Sequence, residues 1–383
     1  MRRRLVILTE IIAPYRIPLF NALAKNPEVD LHVIFLAEND PQLRQWQTYK
    51  EEIRFSYQVL PSWRSHIGKY NLLLNRHVSA ALAQAAPDAV LCGGYNYVAS
   101  WQALSWARRH KVPFFLWSES HARELRTGRA PVEFLKKRFI HKCSGFVVPG
   151  KAAFDYLRLH GVNEKTIFLA PNAVDNEFFA AAAKAARQNA ARNLRELDLP
   201  GRYFLFAGRL VRDKGVFELL SAYAKLEASV RQESALVFVG DGPARQRLQQ
   251  EAAAISPGII RFPGFAQREK LAIYYALADM LILPTYTDTW GLVVNEAMAC
   301  GLPVILSRIA GCAGDLLKEN WNGTLVPSMD IPSLTSAMRR LACQPDLRAE
   351  MGVHSAQHIT SYSADAWADG ICRMLANTVG AHV

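Results

Sequence analysis

The sequence predicts an α/β protein made of two doubly wound halves, each with a parallel sheet covered by helices on both faces. Three observations support this fold class. The chain has 383 residues, a length that favours two domains. Half of the residues are hydrophobic, 50%, which is sufficient for two cores. Short continuous apolar runs alternate with helix-length segments, as in parallel sheets that are buried on both faces.

The apolar runs predict the strands of each half in chain order. In the first half they lie at residues 5–8, 31–36, 55–59, 89–92, 113–118, 145–149 and 167–170. In the second half they lie at residues 203–207, 235–240, 260–262, 280–283, 304–306 and 324–326. The boundary is expected near residues 171–179, and the Ala- and Arg-rich residues 180–197 predict one surface helix.

Residues 288–306 carry the most informative pattern in the chain. They predict a polar loop, a short helix at 291–300, a Gly-Leu-Pro stop and a buried strand. Glu296 is a carboxylate within this mostly apolar helix, and because an unpaired buried charge is costly, we expect strong donors beside it. Glu296 lies about 7.5 Å along the axis from Gly291, and Asp288 lies on the loop before the helix.

Two carboxylates placed in this way suit hydroxyl groups on two parts of one elongated ligand. The helix N-terminus between them has free N–H groups, which suit a phosphate. The pattern therefore indicates a nucleotide sugar, with hydroxyls at each end and a diphosphate between them.

An acidic residue followed by seven residues and a glutamate, in the setting WGLVVNEAMACGLPVI, resembles the signature of glycosyltransferase family 4. Three further blocks resemble the same family: FAGRL with the later Lys214-Gly215, VGDGP at 239–243, and PNAVD at 171–175 with Phe178. The blocks cover residues 171–326, whereas the first half is similar mainly in its alternation of strands and helices. Members of this family are retaining enzymes of the GT-B fold that use nucleotide-sugar donors.

The resemblance implies two Rossmann-like domains that face a central cleft. Residues 1–178 would form the acceptor-binding domain, and residues 179–363 the domain that binds the nucleotide-sugar donor. The last helix, within residues 364–383, would pack back on the first domain. Ligands in doubly wound folds bind at the carboxyl ends of the strands, so the candidate residues are those that follow strands.

The resemblance assigns the donor diphosphate to two cations in the loop after the first strand of the second half. An isolated Arg–Lys pair would ordinarily be surface charge, but here both lie at the family's positions. Together with the helix N-terminus, they would neutralise a departing nucleoside diphosphate, so no metal ion and no other cofactor is expected. The residues of this group are Gly208, Arg209, Lys214, Gly291, Leu292 and Val293.

The two carboxylates have separate roles under the resemblance. Asp288 would contact hydroxyls of the donor sugar and Glu296 the ribose. Relatives usually have Glu at the first position, and Asp is one methylene shorter. The alternatives are that Asp288 caps the following helix and that Glu296 forms a structural ion pair with an arginine. Gly264 and Phe265 are expected to line the base pocket of a UDP-sugar or GDP-sugar.

The first half offers candidates after two of its strands. Family members commonly place a histidine at the end of an equivalent strand, where it contacts the reacting sugar, and His121 fits that position best. A lone histidine is more often structural, and Glu119 is the competing acid. Tyr15 and Arg16 follow the first strand and are weak candidates, because the Gly-Gly turn of many relatives is missing there.

The positive charge is concentrated in the first half. Residues 1–178 have 24 Lys and Arg against 15 Asp and Glu, and residues 179–383 have 21 against 19. A basic cluster at 136–142, Lys136-Lys137-Arg138 with His141 and Lys142, shares a predicted helix with apolar residues. It is either a solvated charged face or a surface that binds an anionic membrane. Nucleic-acid binding is not expected, because no stacking-aromatic or helix-turn-helix pattern is present.

The remaining patterns limit location and chemistry. The six cysteines are scattered, without a C-x-x-C pair, as in a reduced cytoplasmic protein. The opening MRRRLVILTE is too short in its apolar part for a secretory signal. We therefore expect a cytoplasmic protein, with peripheral binding to the inner face of the membrane as the further hypothesis. His354 and His358 have a metal-like spacing but no third ligand nearby, so no metal site is expected.

The function expected from the resemblance is transfer of a sugar, with retention, to a glycan or lipid-linked acceptor in cell-envelope polysaccharide synthesis. Two alternatives stay open: a GT-B nucleotide-sugar epimerase, which would need no acceptor, and an inactive subunit that binds a nucleotide sugar or a partner. The sequence predicts no oligomeric state. A Ser-His-Asp hydrolase is not expected, because no G-x-S-x-G motif is present.

Overall fold

The computed structural model describes residues 2–40, 44–67, 70–122, 130–255 and 260–377. The chain divides into two compact units. The first unit consists of Met1–Ser120, Arg126–Val174 and Ala364–Val383, and the second of His121–Leu125 and Asp175–Ser363. Each unit has its own parallel sheet, so the predicted fold class is confirmed.

The strands are β1 (Arg3–Thr9), β2 (Val29–Phe35), β3 (Ser56–Val59), β4 (Ser62–Ile67), β5 (Tyr70–Asn75), β6 (Ala89–Cys92), β7 (Phe114–Trp117), β8 (Gly145–Val148), β9 (Ile167–Leu169), β10 (Tyr203–Ala207), β11 (Ala235–Val239), β12 (Ile260–Gly264), β13 (Met280–Leu283), β14 (Val304–Ser307) and β15 (Gly323–Val326). Within the described residues, the sheet of the first unit has the order β3-β2-β1-β6-β7-β8-β9 and that of the second β12-β11-β10-β13-β14-β15. Every predicted strand is present, with ends that differ by at most two residues.

The helices are α1 (Ile17–Ala24), α2 (Val78–Ala85), α3 (Val98–Arg109), α4 (Ala130–Ile140), α5 (Lys151–Leu159), α6 (Asn176–Gln188), α7 (Ala190–Glu196), α8 (Val216–Ala224), α9 (Ala228–Glu233), α10 (Arg245–Ala253), α11 (Arg268–Leu277), α12 (Leu292–Ala299), α13 (Ala313–Leu316), α14 (Ile331–Cys343), α15 (Pro345–Ile359) and α16 (Ala364–Asn377). Single 3-10 turns lie at Pro14–Arg16, Lys50–Glu52, Glu164–Thr166 and Arg212–Lys214. Within the described residues, none of these helices combines the length and the apolar character that a membrane span requires.

The sheet of the first unit separates two apolar layers, because successive side chains of a strand point to opposite faces. On β1, Leu5 and Ile7 face one layer, and Val6 and Leu8 face the other. The first layer includes α1 and α16, where the buried Trp367 contacts the rings of Phe20 and Trp117. The other layer includes α2 and α3. Residues 378–383, the end of the segment expected to pack on the first domain, lie outside the described residues.

Two elements differ from the sequence prediction. The antiparallel hairpin β4–β5 was not predicted; it buries Leu73 but leaves Leu72 and Leu74 exposed, so its apolar run does not mark one buried face. The predicted single helix at 180–197 is two helices, α6 and α7, which meet at Asn189. Asn189 leaves helical geometry, with φ −114° and ψ 28°, and its side chain donates to the Ala185 carbonyl at 3.0 Å.

In the second unit, glycines let the loops at the carboxyl ends of the strands approach backbone to backbone. Gly240, after β11, has φ +136°, and a Cβ there would overlap the carbonyl oxygen of Gly208 after β10. Gly215 has φ +72°, and a Cβ there would overlap the carbonyl of Pro284 after β13. The loops after β10, β11 and β13 therefore meet at one edge of the sheet.

We predict that Gly240→Ala lowers the free energy of unfolding by about 3 kcal/mol or more, because the new methyl group must displace backbone and φ is unfavourable. Denaturant unfolding measures the loss. Gly201→Ala is the matched control: nothing lies within 4 Å of a Cβ at Gly201, so its stability should stay near wild type. Equal stability of the two variants would mean that the loops after β10 and β11 can separate at little cost.

Candidate active site

An ion pair joins two of the predicted site residues. Lys214 ends the turn after β10, and Asp288 lies in the loop between β13 and α12. The Lys214 Nζ atom is 2.5 Å from Asp288 Oδ2, and both side chains are largely buried. Sequence reasoning assigned them to different parts of a ligand, whereas the structure brings them into direct contact. An ammonium has three donor hydrogens, so Lys214 can hold Asp288 and still donate to a phosphate oxygen.

Helix α12 begins beside this pair. Its N-cap is Gly291, with φ +103°, in the left-handed region that glycine adopts most readily. A Cβ at Gly291 would lie 3.6 Å from Asp288 Oδ2 and 3.5 Å from Cys312 Sγ, so the cap is next to the carboxylate. Leu292 and Val293 are half-buried and form the first turn, whose N–H groups precede the intrahelical bonds. The helix predicted at 291–300 is Leu292–Ala299, with its two cap residues outside.

His121 is buried and contacts the backbone of Asp288. Its Nε2 atom is 2.8 Å from the Asp288 carbonyl oxygen. A carbonyl only accepts hydrogen bonds, so Nε2 carries the hydrogen and donates. The N–H of Gly311 donates to the same oxygen at 3.0 Å. His121 is therefore held against the loop that carries Asp288.

Gly311 is a residue that sequence reasoning missed. A Cβ at Gly311 would overlap the carbonyl oxygen of Thr289 and lie 3.2 Å from the ring of His121. Only a residue without a side chain allows both contacts. The signal in the sequence is a glycine in the loop between β14 and α13, but its partners lie far away along the chain.

The Glu296 carboxylate accepts a hydrogen bond from a neutral donor. The Tyr275 hydroxyl, on α11, donates to Glu296 Oε2 at 2.7 Å. Within the described residues no cation pairs with this carboxylate, so the predicted alternative of an arginine ion pair is wrong for this part of the chain. Burial raises the pKa of Glu296 to about 7, against the smaller opposite effect of the Tyr275 hydrogen bond. Glu296 therefore titrates near neutral pH.

Arg209 differs from Lys214 in its surroundings. It follows Gly208, which has φ +144°, and its side chain is exposed. Within the described residues its guanidinium forms no ion pair or hydrogen bond. Five donors therefore remain for a ligand at the carboxyl end of β10.

Gly264 and Phe265 lie at the carboxyl end of β12. The Gly264 carbonyl accepts from the Gly240 N–H at 2.8 Å, which ties β12 to the loop after β11. The Phe265 ring is exposed. Arg245 lies beside this strand end, and its guanidinium donates to the Phe262 carbonyl at 3.0 Å. An exposed ring at a strand end offers a flat apolar surface for a planar base.

The first unit brings its weaker candidates together. Arg16 Nη2 is 3.5 Å from Glu119 Oε1, and the Arg16 guanidinium lies 4.1 Å from the centroid of the Trp117 ring. Asn172 donates to the same Glu119 oxygen at 3.1 Å. Tyr15 packs edge-on against Trp46. Arg16 and Glu119 thus form one polar cluster, after β1 and β7.

The basic cluster at 136–142 is not one continuous surface. Lys136 is buried, and its ammonium donates to the Tyr156 hydroxyl and lies 4.5 Å from the centroid of that ring. Lys137 and Arg138 are exposed. The prediction that Lys136 belongs to the exposed basic face is therefore wrong, because α4 turns this position toward α5.

The two histidines with metal-like spacing bind backbone carbonyls. His354 Nδ1 donates to the Trp321 carbonyl at 2.9 Å, and His358 Nε2 donates to the Asp315 carbonyl at 3.0 Å. In the described part of the chain, no group of three potential metal ligands is found.

We predict that Glu296→Gln stabilises the protein only at higher pH. Because the folded pKa of about 7 lies above the ordinary 4.5, the folded chain binds this proton more tightly, and stability falls as pH rises between those values. Glutamine does not ionise, so the variant does not lose this stability as pH rises. The free energies of unfolding should agree near pH 4.5, and the variant should be more stable at pH 8, by at most about 3 kcal/mol.

Denaturant unfolding at the two pH values tests this expectation. Glu350→Gln, which changes an exposed carboxylate on α15, is the matched control and should alter stability little at either pH. A Glu296→Gln protein that is less stable than wild type at pH 8 would show that the charged carboxylate stabilises the fold.

Comparison with known proteins gives two family matches and several curated relatives. Residues 188–358 match the family model "Glycosyl transferases group 1", and residues 19–178 match "Glycosyltransferase Family 4". D-inositol 3-phosphate glycosyltransferase of Corynebacterium jeikeium is 31% identical over 217 residues, 54% of this chain and 51% of that protein. Sulfoquinovosyl transferase SQD2 of Arabidopsis thaliana is 25% identical over 303 residues, 76% of this chain and 57% of that protein. The chain spans about half the length of the curated relatives it matches.

Solved structures show the same fold over nearly the whole chain. Sucrose-phosphate synthase from Thermosynechococcus elongatus has a TM-score of 0.75 at 20% identity, covering 99% of this chain and 100% of that one. Anabaena HepE in complex with UDP and glucose has a TM-score of 0.75 at 15% identity, covering 98% and 100%. With the two family matches, which together cover most of both units, these similarities show that the chain belongs to glycosyltransferase family 4 and has the GT-B fold.

Proposed function

We propose that this protein transfers a sugar from a nucleoside-diphosphate sugar to an acceptor hydroxyl, with retention at the anomeric carbon and without a metal ion. The observation that carries the proposal is the Lys214–Asp288 ion pair at the first turn of α12, with His121 against the Asp288 backbone. Family membership supports the transferase activity. The same intact group of residues gives no support to an inactive subunit.

The donor is assigned to the second unit, and UDP is the favoured nucleotide. Anabaena HepE, which shares the fold, was solved with UDP and glucose. In this chain, Glu296 would accept from the ribose hydroxyls, and the exposed Phe265 ring would contact the base. Arg209, Lys214 and the N-terminus of α12 would bind the diphosphate. Asp288 would accept from hydroxyls of the transferred sugar.

The reaction follows from where charge develops. The bond between the anomeric carbon and the diphosphate oxygen breaks, and negative charge grows on the leaving diphosphate. Arg209 and Lys214 stabilise that charge, which makes a metal ion unnecessary. The acceptor hydroxyl attacks from the same face, its oxygen bonds to the anomeric carbon, and its proton passes to an oxygen of the leaving phosphate. No side chain is assigned as general base, and His121 fixes the Asp288 loop beside the sugar.

The acceptor is assigned to the first unit, as a glycan or a lipid-linked sugar. One relative is named for an acceptor, D-inositol 3-phosphate, and another for a sugar, the sulfoquinovosyl group, so these names do not favour one acceptor for this chain. The Arg16–Glu119 cluster supplies a donor and an acceptor of hydrogen bonds after β1 and β7. It is the best candidate in this unit for contacts to acceptor hydroxyls.

We predict that Arg209→Ala and Lys214→Ala each lower turnover of a UDP-sugar by about 100-fold or more, because each removes charge stabilisation that is strongest in the transition state. Arg209→Ala should keep the wild-type melting temperature, since this side chain is exposed and unpaired within the described residues. Arg212→Ala, an exposed cation in the same loop, is the matched control and should keep turnover.

The assays are run with and without EDTA, and wild-type turnover should survive the chelator. Loss of turnover in EDTA, restored by a divalent ion, would refute metal independence. Near-wild-type transfer by the Arg209→Ala/Lys214→Ala double variant would refute the diphosphate assignment.

We further propose that the first unit binds an anionic membrane through the outward face of α4. That face combines apolar and basic side chains: Phe134, 65% exposed, and Leu135, with Lys137 and Arg138. A helix with this composition suits the interface of a bilayer, where the ring enters the headgroup region and cations meet anionic lipids.

We predict that Phe134→Ser and Lys137→Gln/Arg138→Gln each weaken binding to vesicles containing phosphatidylglycerol, measured by co-sedimentation. Each cation near the surface contributes about 1 kcal/mol, so the double charge variant should lose roughly tenfold or more in affinity. High salt should also release the wild type, because charges are screened over a shorter distance.

Leu159→Ser, which changes an exposed leucine on α5, is the matched control and should bind as the wild type does. Lys136→Gln is not a test of this surface, because Lys136 is buried against Tyr156. If the wild-type protein does not co-sediment with the vesicles at low salt, membrane binding is refuted.

A further inference from the structure

A pocket of about 500 Å³ lies at the amino ends of three strands of the first unit. Its walls come from the end of α3, from residues just before β7, β8 and β9, from Phe115 and Phe168 within β7 and β9, and from the end of α16. The volume is in the range of small-molecule sites. The Arg16–Glu119 cluster follows the carboxyl ends of strands in the same sheet. Because the strands are parallel, the pocket lies at the amino ends of the strands and that cluster at their carboxyl ends.

The pocket has an apolar floor and a basic rim. Phe115 and Met374 are buried, and the Phe168 ring is half-buried beside them. The exposed residues that line it include three cations, Arg108, Lys111 and Lys165, beside the neutral Ser144 and Asn377. Among the residues that the structure describes, these cations form no ion pair or side-chain hydrogen bond, and no carboxylate lines the pocket. The pocket therefore suits an anion attached to an apolar group.

Lys111 has a backbone conformation that normally selects glycine. Helix α3 ends in a Schellman motif, in which the Val112 N–H donates to the Ala107 carbonyl at 2.9 Å and the Lys111 N–H to the Arg108 carbonyl at 3.3 Å. The motif requires positive φ at Lys111, which is 57°. A residue with a Cβ is strained there.

Helix α5 ends in the same motif with glycine at the corresponding position. The Val162 N–H donates to the Leu157 carbonyl at 3.2 Å, and φ of Gly161 is 78°. Both motifs read His-X-Val, with X as Lys111 in one and Gly161 in the other. Glycine thus forms this turn with less strain than lysine does, so the turn geometry does not explain the lysine at position 111. Lys111 lines the pocket, where its ammonium group is available to bind an anion.

We propose that this pocket binds an amphiphilic phosphate, a phosphate monoester whose apolar group contacts Phe115, Phe168 and Met374. Its phosphate would accept from Arg108, Lys111 and Lys165. Two sources share this chemistry, a lipid phosphate and a soluble aromatic phosphate. The site is separate from the donor site of the second unit, so it goes beyond the proposed transfer reaction.

The test uses the full chain and titration calorimetry with four probes: hexyl phosphate, phenyl phosphate, inorganic phosphate and hexanol. At least one ester should bind about tenfold or more tightly than inorganic phosphate and hexanol, since only the esters use both rim and floor. Tighter binding of hexyl phosphate identifies a lipid-like source, and tighter binding of phenyl phosphate an aromatic one.

Lys111→Gly gives a result that a merely structural role would not. It should raise the melting temperature, because the strain is removed, and yet weaken ester binding by about tenfold or more, because a charged donor is lost. Gly161→Lys is the reciprocal control and should lower the melting temperature without changing binding. Arg109→Gln, an exposed cation beside Arg108 that does not line the pocket, should bind as the wild type does.

Three outcomes would overturn the proposal. Inorganic phosphate could bind as tightly as the esters, which would remove the role of the apolar floor. Lys111→Gly could keep wild-type affinity, which would remove the role of the rim. Lys214→Ala could abolish binding, which would place the probe at the donor site.

Discussion

The close backbone contact between the loops of the second sheet is the constraint on which the candidate site depends. A side chain at Gly240 would push the loop after β11 away from Gly208, and one at Gly215 would push the loop after β10 away from Pro284. Lys214 and Asp288 lie in these loops and can pair only while the loops stay close. The glycines therefore set the distance between the charged groups through backbone contacts.

Asp288 is held at both its main chain and its side chain. Its carbonyl accepts from His121 and Gly311, and its carboxylate pairs with Lys214. An aspartate has one methylene fewer than a glutamate, so less freedom remains once both ends are fixed. Arg209 has no such restraint within the described residues. The two cations thus differ in kind, since the Lys214 side chain is held by an ion pair and the Arg209 side chain is exposed.

Much of the fold could be predicted from the sequence, because buried parallel strands are continuous apolar runs. The hairpin β4–β5 could not, because Leu72 and Leu74 face outward while Leu73 faces the core. The motifs located Lys214, Asp288 and Glu296, but not their partners. The bond from His121 to Asp288 joins positions 167 residues apart, and that from Tyr275 to Glu296 joins positions on different helices. Such contacts depend on tertiary packing, which the hydrophobic periodicity of the sequence does not predict.

The position of α16 has a consequence for the order in which the chain can fold during synthesis. The core of the first unit includes Trp367, fully buried against Phe20 and Trp117, so this core is incomplete until the second unit and the first residues that follow it have been made. Nearly all of the second unit is continuous, Asp175–Ser363. Domains made first usually fold first. In this chain the first unit leaves the ribosome first, but its core is completed last. The apolar face of α1 stays uncovered until α16 has been made.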